Sequence, residues 1–220
     1  MNWQKIRRYI LHIFYPNRCP VCGKIIGYDD FFCEECTANL VFFEEDFHIP
    51  QADRFCAAFI YDGNISPAVI LLKDGICGNS DYAMGKYLTD RLVLIPDIDE
   101  YDLIIPVPLH KSRKRERTYN QCELIGREVS RRTGIPLCTD AVIKVKKTKS
   151  QKNLTGAERR VNLKDAFAVS RPEIIKDKNI ILLDDVCTTG STMHEITSLM
   201  KKNGAAKICC ASCCKTSSLA

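Results

Sequence analysis

Apolar residues recur along the chain in two rhythms. Continuous apolar runs at 55–61, 103–108, 141–145, 166–169, 180–183 and 206–214 are bounded by turn residues, and such runs predict strands buried on both faces of a parallel sheet. Between them the spacing changes to that of a helix. Residues 66–73, 81–94 (through Tyr82, Met84, Leu88, Leu92 and Val93) and 120–133 (with Leu124, Ile125 and Val129 inward) follow it. So do residues 190–203, which Gly204 stops. Asp62-Gly63-Asn64 predicts a turn and Asp74-Gly75 a loop, while Pro106 and Pro108 mark the carboxyl end of the second strand. Residues 109–118 are polar, and 151–160 read as a helix or a loop. Alternating strands and helices predict an α/β fold with a mostly parallel sheet and flanking helices over residues 51–220.

The first 16 residues read differently. Trp3, Ile6, Ile10, Ile13 and Phe14 make one stripe of an amphipathic helix, expected to pack on the protein itself, with contact to a membrane surface or a partner as the alternative. The stretch has no small-residue cleavage site, so a secretory signal is not expected. No run reaches about 18 apolar residues, so no membrane span is expected either.

The chain has 220 residues and 45% hydrophobic content, enough for one domain with a smaller module beside it. Thirteen cysteines in a secreted chain would suggest disulfides. An odd count without a secretory signal points instead to the cytoplasm, with thiols reduced or metal-bound. The net charge of +5 is unevenly spread. Residues 111–160 hold fifteen Lys or Arg against five Asp or Glu, whereas residues 29–53 hold at least seven acids and no Lys or Arg. The basic middle suits pyrophosphate, nucleic acid or both.

Two stretches carry chemistry. Cys19-Pro20-Val21-Cys22 is followed after ten residues by Cys33-Glu34-Glu35-Cys36. Paired C-x-x-C motifs suit a tetrahedral Cys₄ structural zinc site in a small ribbon over residues 17–50. A redox C-x-x-C is the alternative, normally set in a βαβ unit. Cys209, Cys210, Cys213 and Cys214 lack that spacing and read as small apolar residues of a buried strand.

The second stretch is residues 180–192. Four aliphatics lead to Asp184 and Asp185, and Thr188, Thr189, Gly190, Ser191 and Thr192 then open a helix. Carboxylates at the carboxyl end of a buried strand can accept hydrogen bonds from sugar hydroxyls. Loop amides and a helix start direct partial positive charge at a phosphate. A Walker-B-like acid pair is the alternative, but the G-x-x-x-x-G-K-[ST] loop it needs is absent from the chain.

The stretch resembles the phosphoribosyl pyrophosphate (PRPP) signature of type I phosphoribosyltransferases. The resemblance implies that Asp184 and Asp185, the candidate catalytic residues, hold the ribose hydroxyls and that residues 188–192 hold the 5′-phosphate. A wider resemblance joins several motifs in one order. These are the Cys₄ module, Pro106-Val107-Pro108, residues 113–121, Gln151-Lys152-Asn153-Leu154, residues 158–162 and the PRPP signature. It is to the ComF/GntX family, phosphoribosyltransferase-like competence proteins linked to DNA uptake in natural transformation.

That family implies a flexible, pyrophosphate-covering loop containing Arg113, Lys114, Arg115, Arg117, Asn120 and Gln121. It places Lys73 at a first pyrophosphate loop, and Gln151, Glu158, Arg159 and Asn162 in a second block. Asp74 stands where the family often has an aromatic residue, and Thr118 where it commonly has glycine. Catalysis, where present, would be Mg²⁺-dependent transfer of phosphoribosyl from PRPP to an acceptor that no base-reading motif identifies. Two other readings remain open at this stage. One is an accessory module that binds single-stranded DNA, and the other a scaffold for a competence helicase.

Overall fold

The computed structural model describes residues 3–74, 79–147, 163 and 165–217, with the side chains of residues 3–5, 7 and 8 outside the description. Four parallel strands form the main sheet, in the order β1 (Arg54–Ile60), β6 (Lys207–Lys215), β5 (Asn179–Cys187), β2 (Leu103–Pro106). Ile180 of β5 stands level with Leu103 on one side and with Ile208 on the other. The two inner strands are the ones written as unbroken small or aliphatic residues. Ile180 to Leu183, Cys209, Cys210 and Cys214 are wholly buried and Cys213 nearly so, as expected of small apolar side chains in a strand covered on both faces.

The connecting helices are α3 (Ser66–Lys73), α4 (Ser80–Leu92), α5 (Lys111–Arg117), α6 (Gln121–Thr133), the short α7 (Pro172–Ile175) and α8 (Ser191–Lys202). Helices α4 and α6 pack against each other and against the sheet. They approach closely because Gly85 has no side chain: a Cβ there would lie 2.6 Å from that of Glu128. Glu128 is buried between Arg131 and Arg132, which donate to it at 2.8 and 2.6 Å, so its charge is compensated.

Four expectations change. Strand β2 stops at Pro106 rather than 108, because two prolines lack the N–H a ladder needs. Strand β5 continues past Leu183 to Cys187, so the acids lie within it. The polar run after β2 is a helix, α5, capped by the His110 ring, which accepts from the Ser112 N–H. The strands β3 (Val142–Lys144) and β4 (Phe167–Val169) pair with each other, antiparallel, apart from the main sheet. The motif residues Gln151, Glu158, Arg159 and Asn162 lie outside the described residues.

Ahead of the sheet come α1 (Trp3–Phe14), the cysteine module and its short helix α2 (Glu34–Ala38). Among the described residues the far end of the α1 stripe is uncovered: Ile10, Ile13 and Phe14 are 48, 63 and 73% exposed. Its described attachments are an edge contact between Tyr9 and Tyr28 and a bond from the Asn17 N–H to the His12 ring. Within the module, residues 41–43 run beside β1, with the Ile60 N–H on the Val41 carbonyl and the Phe43 N–H on that of Ala58. Arg132 of α6 lies over the Phe31 ring at 5.3 Å, a second link between module and sheet domain.

Candidate functional site

The site arises where β5 outruns its neighbour. Val107 makes the last bond from the β2 side, its N–H to the Leu183 carbonyl at 2.8 Å, and Asp184 and Asp185 follow immediately. Asp185 is buried (7% exposed) and well partnered. Its Oδ2 takes the Lys73 ammonium and the Gln121 amide, both at 3.2 Å, and its Oδ1 accepts from the Val186 N–H at 2.8 Å.

Asp184 sits deep among protein atoms, with part of its surface open to the cavity above. Its Oδ1 accepts from the Asp185 N–H at 2.9 Å and from the Cys122 thiol at 3.4 Å. Burial, and then the neighbouring Asp185 charge, push its carboxyl up to about 7. Burial, then Asp184 and Asp185, push the Cys122 thiol well above its usual range, which keeps it a neutral donor.

The loop after β5 turns at Gly190, whose φ of +76° suits glycine. Thr189 and Ser191 hydroxyls meet at 2.8 Å across the turn. Gly190 gives helix α8 no side-chain cap; the Thr189 hydroxyl accepts from the Ser191 N–H at 3.4 Å, and the helix start directs partial positive charge at the turn. Behind the loop stand two residues from the end of the cysteine module. A Cβ on Gly190 would lie 3.3 Å from Ile49 and 3.4 Å from the Phe47 ring.

Acids and loop open into one cavity of about 370 Å³. Of the residues singled out from sequence, Lys73, Arg113, Arg117, Gln121, Asp184, Asp185, Thr188, Gly190, Ser191 and Thr192 line it. Others point elsewhere. Lys114 pairs with Glu123 at 2.7 Å, and Arg115 is exposed on α5. Asn120 is a fixed cap rather than part of a lid: its oxygen accepts from the Cys122 N–H and its amide donates to the Val107 carbonyl. Gln121 is likewise buried beneath Asp185. Tyr119, between the two helices, donates to the Leu72 carbonyl at 2.6 Å beside Lys73.

The sequence reading missed Tyr61, Lys144 and Phe167, which also line the cavity, and Cys122 beneath it. Strand pairing and helix packing bring these in from distant segments. Only Cys122 had a local signal, one residue past the Asn120-Gln121 pair.

In the front module the Sγ atoms of Cys19, Cys22, Cys33 and Cys36 all lie within 4.8 Å of one another, with Cys22 and Cys33 3.7 Å apart. A tetrahedron of thiolates about 2.3 Å from zinc has edges of about 3.8 Å, so the set fits that ion. Burial raises the Cys19 thiol, but the backbone amides of Cys22, Cys33 and Val21 outweigh it and hold the thiol at about 7, whereas burial and the neighbouring thiols push Cys36 well up, so a cation is needed to hold all four as thiolates.

A parallel sheet with an acid pair and a phosphate-type loop at its carboxyl rim, joined to a Cys₄ zinc ribbon, defines a phosphoribosyltransferase-fold protein with an N-terminal metal module. The family model of the phosphoribosyl transferase domain matches residues 120–219, and that of the double zinc ribbon domain matches residues 10–47. The chain is similar to proteins named Competence protein F, Competence protein ComFC and DNA utilization protein YhgH. It is 44% identical over 109 residues to Competence protein F of Haemophilus influenzae, covering 49% of this chain and 47% of that one. It is 28% identical over 201 residues to the DNA utilization protein YhgH of Escherichia coli K12, covering 90% and 84%. It is 31% identical over 111 residues to Competence protein ComFC of Bacillus subtilis, covering 50% and 43%. The matched stretch thus spans under half the length of the Haemophilus and Bacillus proteins.

Proposed function

We propose that the cavity binds PRPP and that the protein acts in the handling of incoming DNA in the cytoplasm. The observation that carries the ligand is a juxtaposition. The Asp184–Asp185 pair, held by Lys73 and Gln121, shares one cavity with the start of α8. Asp184 and Asp185 take the ribose hydroxyls, and the turn at residues 188–192 takes the 5′-phosphate on hydroxyl and backbone donors. The role in DNA handling rests on the relatives named for competence and DNA utilization.

The pocket favours phosphoribosyl transfer. The bond from C1′ to pyrophosphate breaks with its electron pair on the leaving group. The acceptor then bonds to C1′ and gives up its proton. Positive charge grows on the sugar beside the acid pair while negative charge grows on the pyrophosphate, which the basic rim of the cavity stabilises. Mg²⁺ prefers hard oxygen donors, and the carboxylates of Asp184 and Asp185 supply them beside the ligand's own oxygens. When bound it would neutralise leaving-group charge.

Calorimetry with PRPP and Mg²⁺ on the zinc-loaded protein tests the reading. Binding by wild type that is lost in Asp184→Asn/Asp185→Asn supports it, and no binding by folded wild type overturns it. A second reading has one observation in its favour. Helix α5 carries Lys111, Arg113, Lys114, Arg115 and Arg117, mostly exposed, as a strand-binding accessory surface would. Salt-dependent binding of single-stranded DNA that ignores the Asp184/Asp185 substitutions would favour it.

A further inference from the structure

We propose that Lys144, on the β3–β4 ribbon, forms with Arg113 an anion subsite that receives the pyrophosphate group, which makes Lys144 a ligand-binding residue of this pocket. The inference rests on the PRPP reading above and adds a residue that lies outside both PRPP loops.

The geometry comes from the ribbon. Register places Lys144 opposite Phe167, and the Lys144 ammonium stands 5.3 Å from the Phe167 ring centroid. Both residues line the same cavity as Asp184. Two segments that read only as short strands are thus folded together at the ligand's side.

The electrostatics are unusual for a lysine. Lys144 is half-buried, and no carboxylate pairs with it among the described residues. Its strong neighbour is another cation. Burial, then the Arg113 guanidinium, hold Lys144 below the ordinary lysine range, and the attraction of Asp184 only partly offsets this. Arg113 stands exposed at the cavity mouth, also without a carboxylate partner among the described residues. Covering a cation and setting a second beside it is costly unless an anion enters between them. A multiply charged anion answers two cations at once, and charge-assisted bonds from both hold it more firmly than either alone.

Two other groups of the pocket already have roles, and Arg117, which also lines it, stands on the same helix as Arg113. Lys73 is paired with Asp185 at 3.2 Å, and the turn before α8 offers its donors to a single phosphate. Of the two charged groups on PRPP, the 5′-phosphate and the pyrophosphate, the second requires the more concentrated positive charge, and Lys144 with Arg113 supplies it.

The test measures inorganic pyrophosphate and ribose 5-phosphate separately, by calorimetry with Mg²⁺, on the zinc-loaded full chain. Wild type, Lys144→Met and Lys144→Arg are compared, with thermal melts alongside. Lys144→Met is expected to weaken pyrophosphate roughly tenfold or more, the loss of one charge-assisted bond. Ribose 5-phosphate binding should be unchanged, and Lys144→Arg should recover most of the loss. Equal pyrophosphate affinity in wild type and Lys144→Met overturns the proposal, as does equal weakening of both ligands. Wild type that binds ribose 5-phosphate but not pyrophosphate also overturns it, while leaving the sugar site intact. Pyrophosphate binding that needs Lys144, in a protein that binds neither PRPP nor ribose 5-phosphate, would keep the subsite and sink the PRPP reading.

Discussion

Asp184 gives the pocket a measurable pH signature. Its carboxyl is raised to about 7 in the fold, against about 3.9 in an unfolded chain. An acid raised by folding opposes folding once it ionises. The penalty is absent below about pH 4, grows as pH rises, and is complete above about pH 7. Asp184→Asn removes it, so the variant should melt higher than wild type at pH 8, by about 1–3 kcal/mol, and close to wild type at pH 4. Scanning calorimetry at the two pH values reads the difference, and an equal gap at both would contradict this electrostatic account. Thr118 makes a second case. It sits at φ +65°, a conformation costly for a β-branched residue. Thr118→Gly should therefore stabilise the protein by about 1 kcal/mol, seen as a higher denaturant midpoint. Residues such as Asp184, Gly190 and the four cysteines were legible in sequence because their chemistry depends on near neighbours. Lys144 and Phe167 were not, because only the pairing of two distant strands brings them together at the cavity.

At the scale of elements, the hydrophobic rhythm predicted the helices and core strands well, because burial on both faces writes itself as continuous runs. It failed where an element is polar. Nothing apolar marks α5, yet a capped start and seven helix-compatible residues suffice to form it. It failed again at the end of α1, where amphipathic spacing predicted packing and the described residues Ile10, Ile13 and Phe14 are exposed. The α5–α6 joint is the element to perturb. Asn120 caps α6 and also donates to the Val107 carbonyl at the β2 end, so it ties both elements at the pocket's edge. Asn120→Ala should cost about 1–2 kcal/mol in stability, by chemical denaturation. It should also weaken PRPP binding, since Gln121 and Cys122, the next two residues, touch the acid pair.

At the scale of the whole molecule, the zinc ribbon and the sheet domain are separate in sequence but share a surface at the phosphate turn. Phe47 lies against Gly190 on one side, and the Lys215 ammonium stands 4.3 Å from its ring centroid on the other. His194 of α8 meets the Pro50 carbonyl at 3.1 Å. Phe47→Ala should leave the β-sheet intact, by circular dichroism, while weakening ribose 5-phosphate several-fold, because the turn loses the wall that fixes its shape.

This shared wall has a physiological consequence. The segment that supports the phosphate turn is continuous with the one whose thiols the metal gathers, and thiols are open to oxidants as well as to chelators. A cell short of zinc, or under peroxide stress, should therefore lose this protein's grip on its ligand before it loses the protein. Metal supply becomes a condition for function without zinc ever touching the chemistry.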